Sequence, residues 1–196
     1  IVEIDNNEVP IMDGSSSEFI EIIKTAGIKE QSKNRKFLKI CKELNLKDGT
    51  KSIKIKPSNF GLSIDFELSY KNQIIGNQKN KIDFYKDQLK DVYSSRTFCL
   101  HEDIEQIKKV GLAKGGSLDN AIVVDNDKIL NPNGLRNRNE FVNHKILDLC
   151  GDMMLSGSRV LGDISCKEGG HKMTLSLLKK IFEESSNFVL IDLENI

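Results

Sequence analysis

Three side chains with metal or acid–base chemistry recur along the stretch Glu140-Phe141-Val142-Asn143-His144-Lys145-Ile146-Leu147-Asp148-Leu149-Cys150-Gly151-Asp152. His144, Asp148 and Asp152 stand at i, i+4 and i+8, and on a helix those positions stack on one face. An imidazole one turn from a carboxylate can bite a single metal ion. The same geometry lets two histidines at i, i+4 hold zinc. At about 100° per residue, Val142, Ile146, Leu147, Leu149, Cys150, Met153 and Met154 share a broad apolar arc. His144, Asp148 and Asp152 lie opposite, with Phe141 and Leu155 close beside them. An ordinary solvated face would be richer in Lys and Glu. The bland alternative is a surface histidine with two helix acids, because a bare His-x-x-x-Asp spacing is common.

The elements around this stretch alternate in type. Ile1–Ile4 alternates like a strand. Ser15-Ser16-Ser17 offers an N-cap for a helix over 18–23, which Gly27 stops. Residues 29–34 are polar and read as a link between two halves. Strands are expected at 37–40, around 53–56 after the Asp48-Gly49 turn, at 62–68 and at 79–84. Helices are expected over 86–93 and 102–110. A short strand at 121–124 pairs through Asn126-Asp127 with 128–130. The long helix runs 139–155. A strand at 160–164, an amphipathic helix at 173–184 and a last strand at 188–191 complete the order. This mixture defines the class as α+β, in two-layer sheet-and-helix domains. Residues 1–34 read as the end of one such domain and 35–196 as a second.

Composition excludes several partners. Lys+Arg and Asp+Glu both number 29 in 196 residues, so the formal charge is zero. That argues against a general electrostatic grip on nucleic acid or an anionic membrane. No apolar run approaches the roughly 20 residues of a membrane span. Cys41, Cys99, Cys150 and Cys166 are widely spaced with no Cys-x-x-Cys, which reads as buried free thiols in a reducing cytoplasm.

Several stretches, in order, resemble the zinc-dependent UDP-3-O-acyl-N-acetylglucosamine deacetylases of lipid A biosynthesis in Gram-negative bacteria. They are Glu8-Val9-Pro10-Ile11-Met12-Asp13-Gly14-Ser15, Ser95-Arg96-Thr97-Phe98, Lys114-Gly115-Gly116-Ser117-Leu118-Asp119-Asn120-Ala121-Ile122-Val123, His144-Lys145-x-x-Asp148-x-x-Gly151-Asp152 and Gly170-His171. Leu130-Asn131, Gly134-Leu135-Arg136 and Glu140-Phe141 lead into the long helix as that family does. The resemblance implies helices packed between two sheets and hydrolysis of an acetamide on a UDP-linked acylated glucosamine. It implies zinc held by His144 and Asp148. It implies His171 as the histidine that stabilises the oxyanion and protonates the leaving amine, with Asp152 orienting and charging it. Thr97 is similar to the residue that hydrogen-bonds the tetrahedral intermediate. Phe98, Gly115 and Ser117 resemble parts of the substrate and acyl-chain passage, and Lys145 a lysine on the head group.

The chain also departs from that pattern. A Glu-His pair, general base and third zinc ligand, precedes the Glu8–Ser15 segment in the family. Here the three histidines are His101, His144 and His171. The expectation is a chain lacking an N-terminal segment, through truncation, a split gene or a decayed copy. The competing reading is an inactive fragment or a non-enzymatic binding homologue. Glu168 stands where a lysine precedes the Gly170-His171 pair, with Lys167 one residue earlier, and Cys99 stands where glycine is usual. Iron competes with zinc for such a donor set.

Overall fold

The computed structural model describes residues 1–5, 8–104, 109 and 115–192. Its centre is the strand β9, Arg159–Lys167, and the alternation of that strand explains the position. Val160, Gly162, Ile164 and Cys166 face inward and are buried, while Arg159, Asp163, Ser165 and Lys167 are exposed. One apolar face therefore needs a cover along the whole strand, while on the other only Leu161 is buried. β9 pairs antiparallel with β3 (Lys51–Pro57) and parallel with β4 (Leu62–Ser69) over residues 162–167. Residues 159–161 pair parallel with β1 (Lys36–Ile40). β2 (Leu44–Asp48), β5 (Asn77–Asp83) and β10 (Phe188–Asp192) complete a seven-stranded sheet. A second sheet joins β6 (Phe98–Leu100), β7 (Ile122–Asp125) and β8 (Lys128–Ile129).

Two of the helices cover the inward face. α1 is Ser17–Ala26, α2 Lys90–Tyr93, α3 Glu140–Met153 and α4 His171–Glu183. α3 packs on β4 and β5, α4 on β2 and β3, and the two helices touch each other. The core between them holds Ile53, Ile55, Ile64, Phe66, Phe141, Ile146, Leu177 and Ile181. The class is α+β, as expected.

Several elements differ from the sequence expectation. Ile1–Ile4 is exposed and pairs with nothing among the described residues, so its alternation has no edge to join. The helix expected at 86–93 shrinks to α2, because Asp87 accepts the Asp83 N–H at 2.7 Å and holds residues 83–87 in a turn. The helix expected at 102–110 falls largely outside the described residues, and His101–Asp103 forms a 3₁₀ turn. β2 and β6 have no counterpart in the sequence expectation. α3 stops at Met153 rather than at residue 155, leaving Leu155 exposed and Met154 exposed rather than in the apolar arc. Cys41 is exposed, so only some of the thiols are buried.

One buried ion pair ties the elements together. Arg96 donates from Nε to Glu140 Oε1 at 2.8 Å and from Nη2 to Oε2 at 3.2 Å. The Arg96 and Arg136 backbone N–H groups donate to the same carboxylate. The Glu140 side chain is 0% exposed and begins α3, where a negative charge meets the helix dipole favourably. Gly14 needs its glycine: φ is +79°, and a Cβ would fall 1.9 Å from the Asn120 carbonyl oxygen. Its own carbonyl accepts the Thr97 N–H at 2.8 Å.

Two outcomes are expected. Glu140→Ala should cost about 3–5 kcal/mol in denaturant unfolding, since it strands a buried guanidinium. Burial raises the Asp13 carboxyl, but hydrogen bonds from Ser15 and Arg136 and the Arg136 charge together hold it below its ordinary 3.8. A depressed folded value means its contribution is complete above the ordinary value and is lost as pH falls through the folded value. Protection factors for amide exchange at Ser15, Ser16 and Thr97, corrected for the intrinsic rate, should therefore fall on acidification below about pH 4, and Asp13→Asn should remove that dependence.

Candidate active site

His144 is buried on α3, not displayed on a solvated face. Its Nδ1 lies 3.0 Å from the Ser95 carbonyl oxygen. A carbonyl only accepts, so Nδ1 carries the proton and Nε2 presents its lone pair. Nε2 lies 3.3 Å from Asp148 Oδ1, one turn along. Burial lowers the His144 pKa, outweighing the opposing pull of Asp148 and the Ser95 carbonyl, and so favours the neutral, ligating form. The other Asp148 oxygen accepts from Lys145 Nζ at 2.9 Å. This nitrogen–oxygen pair fits a zinc ion, with a carbonyl fixing the imidazole tautomer as such sites require.

Asp152 and His171 form a second unit. Both Asp152 oxygens lie 2.9–3.0 Å from His171 Nδ1. Asp152 is largely buried while His171 is exposed at the N-terminus of α4. Nδ1–H donates to the acid, which leaves Nε2 for the open side. Lys145, Asp148, Asp152, Gly169, Gly170 and His171 line one narrow crevice. From His171 a groove of about 510 Å³ runs between α4 and the β2–β3 hairpin, with Lys47, Lys51 and Lys172 along it.

The other expected residues divide. Phe98 packs edge-on against Phe141 at 5.0 Å and against Tyr70 at 5.9 Å, its ring 6.5 Å from His144. Lys145 Nζ stands 5.4 Å from the Phe98 ring centre. Phe98 and Lys145 thus border the site. Thr97 is half-buried and anchored through its backbone to Gly14 and Ile122. Gly115 and Ser117 lie in an exposed turn organised by Asn120, which donates to the Gly115 carbonyl and accepts from the Ser117 N–H. That turn shares no hydrogen bond with His144, Asp148 or His171 among the described residues. His101 stands apart, 3.8 Å from Asp125.

Sequence reasoning assigns no part to the Ser95 carbonyl or to Cys166. Ser95 lies 49 positions from its partner, and a backbone carbonyl leaves no trace in a side-chain pattern. The buried Cys166 sulfur lies under Gly169, where a Cβ would come within 2.4 Å of it. Burial pushes the Cys166 thiol up to about 11, against a smaller pull from the Gly169 N–H.

A buried histidine and carboxylate at one helical turn, beside a histidine steered by a second acid, is a layout that metal-dependent hydrolases use. The chain belongs to the UDP-3-O-acyl N-acetylglycosamine deacetylase family, whose sequence model matches residues 1–183. It is 41% identical over 193 residues to the UDP-3-O-acyl-N-acetylglucosamine deacetylase of a Nitratiruptor species, covering 98% of this chain and 64% of the relative. It is 42% identical over 196 residues to the protein of that name from Aliarcobacter butzleri, with the same coverages. With the Nautilia profundicola protein identity is 44% over 184 residues, covering 93% of this chain and 62% of the relative. The chain thus spans slightly less than two thirds of the length of these relatives.

Gly169→Ala should destabilise the protein by about 1–3 kcal/mol through overpacking against Cys166. It should also shift the His171 ring resonances, because the displaced turn leads directly into His171.

Proposed function

We propose that this chain carries the His144–Asp148 and Asp152–His171 part of a catalytic site that hydrolyses the acetamide of UDP-3-O-acyl-N-acetylglucosamine. The products are acetate and the free amine, in an early committed step of lipid A biosynthesis. The observation that carries this reading is that Asp148, the partner of His144, lines the same crevice as Asp152 and His171. Zinc bound by His144 and Asp148 would polarise the amide carbonyl and acidify water.

The chain's own residues supply the rest. Ser95 holds His144 in the ligating tautomer. Asp152 orients His171 and stabilises positive charge on its ring, so that Nε2–H faces the oxyanion and then protonates the departing amine. Thr97, fixed by Gly14, donates a hydrogen bond to the tetrahedral oxygen. Lys47, Lys51 and Lys172 along the groove suit an anionic diphosphate head group. Phe98 borders the acyl-chain passage, and Lys145 contacts the head group. Gly115 and Ser117 keep the passage role that the resemblance gives them. The reaction needs no nucleic acid and, among the described residues, no helix is long and apolar enough to cross a membrane. Cytoplasmic chemistry is consistent with a nucleotide-activated substrate.

A second reading has its own observation. Among the described residues no group of three or more His, Cys, Asp or Glu side chains is placed to hold a metal. A catalytic zinc takes three protein ligands and a water. A non-catalytic homologue that binds the substrate without metal would satisfy that fact.

Metal content and acetate release from the complete gene product separate the two. Near-stoichiometric zinc, lost in His144→Ala, with kcat reduced about 10²-fold or more in Asp152→Asn, is the result expected of the enzyme. Substrate binding without zinc and without acetate would establish the second reading.

A further inference from the structure

The turn from β9 into α4 has an uncommon backbone. Glu168 takes φ +52°, a left-handed conformation seldom adopted by a residue with a side chain. Three contacts hold it there. The Glu168 N–H donates to the Glu67 carbonyl at 2.8 Å, continuing the β4–β9 ladder by one rung. Gly169 next to it rests on the Cys166 sulfur, so the turn cannot slide inward. On the outer side, Thr50 Oγ1 donates to Glu168 Oε2 at 3.1 Å.

Thr50 is the tip of the β2–β3 hairpin and lies 118 positions away in sequence. Asp48 and Lys51 beside it form one wall of the groove, and Gly170 and His171 form the other. The Thr50–Glu168 hydrogen bond is therefore a clasp across the end of that groove. Without it the hairpin tip is held, among the described residues, by the terminal Asp48–Lys51 and Lys47–Ser52 pairs and by the β3–β9 pairing that begins at Ser52.

We propose that Glu168 is a positioning residue: its left-handed backbone aims the carboxylate at Thr50 and so fixes the distance between the lysine wall and His171. In that role the negative charge of Glu168 is incidental and its acceptor oxygen is what matters. The kinetic arm of the test rests on the deacetylase reading, and the exchange arm does not.

Four variants of the complete gene product decide it: Glu168→Ala, Glu168→Gln, Thr50→Val and the double Thr50→Val/Glu168→Ala. Amide exchange over residues 48–52 should quicken about 3- to 10-fold in each of the two clasp-breaking single variants, and no further in the double. Glu168→Gln, which keeps an acceptor and drops the charge, should exchange like the unmutated protein. KM for the UDP-linked substrate should rise by a similar factor in Glu168→Ala and Thr50→Val, with kcat within about twofold, and should not rise in Glu168→Gln. Equal effects of Gln and Ala would overturn the proposal, since charge would then be the cause. Unchanged exchange in Thr50→Val, or additive effects in the double, would overturn it as well. Absence of acetate release from the unmutated protein would sink the deacetylase reading alone, and exchange would still decide the clasp.

Discussion

A fully buried carboxylate, that of Glu140, is the constraint on which the remaining geometry depends. A lone charge at that depth would be intolerable, so the carboxylate must collect donors. It collects them from three places: the Arg96 guanidinium, the Arg96 backbone and the Arg136 backbone. Arg96 also donates to the Gly134 carbonyl. The segment before β6, the loop before α3 and the first turn of α3 are thereby locked into one frame. Such a pair adds little net stability over an apolar replacement, but it admits few alternative arrangements. Ser95 precedes Arg96 and Thr97 follows it. The carbonyl that orients His144 and the backbone that carries Thr97 are therefore placed by the same ion pair.

The two histidines of the site are treated in opposite ways, and the difference follows from their elements. His144 comes from the middle of a helix packed on a sheet, so it is desolvated and its proton is assigned by a carbonyl. That environment suits a neutral ligand. His171 opens a helix at the rim, where it is exposed and, among the described residues, its ring is held by Asp152. That environment suits a group that exchanges protons with substrate. Asp148 and Asp152, one turn apart on α3, serve the two histidines separately. The helical repeat thus sets the spacing between the His144–Asp148 pair and the Asp152–His171 pair.

The rim residues are held by weaker and more local means. The turn before His171 relies on a glycine seated on a buried sulfur and on a side chain in a left-handed backbone. The groove beyond it is bounded by a two-stranded hairpin whose tip is exposed. The inner pair is consequently held by several contacts at once, while the rim at the hairpin depends on single hydrogen bonds.

Much of this is legible from residues alone. The α3 stripe of His144, Asp148 and Asp152 follows from a period of 3.6, and the strands of the large sheet from a period of 2, because both are local properties of the chain. The identity of His171 as a partner comes only from a family resemblance, since 19 positions separate it from Asp152. The burial of His144 is not legible, because α3 is covered on more sides than a helical wheel can express. β2 and β6 escape the pattern because each is short and its order comes from its neighbours. By itself the sequence determined which residue types face each other within one helix or strand. Only the tertiary structure decided which carbonyl orients His144, which donors seal Glu140 and which turn presents His171. Apart from the Arg136 N–H, four positions from Glu140, those contacts join positions 19 to 118 residues apart, and no local periodicity encodes them.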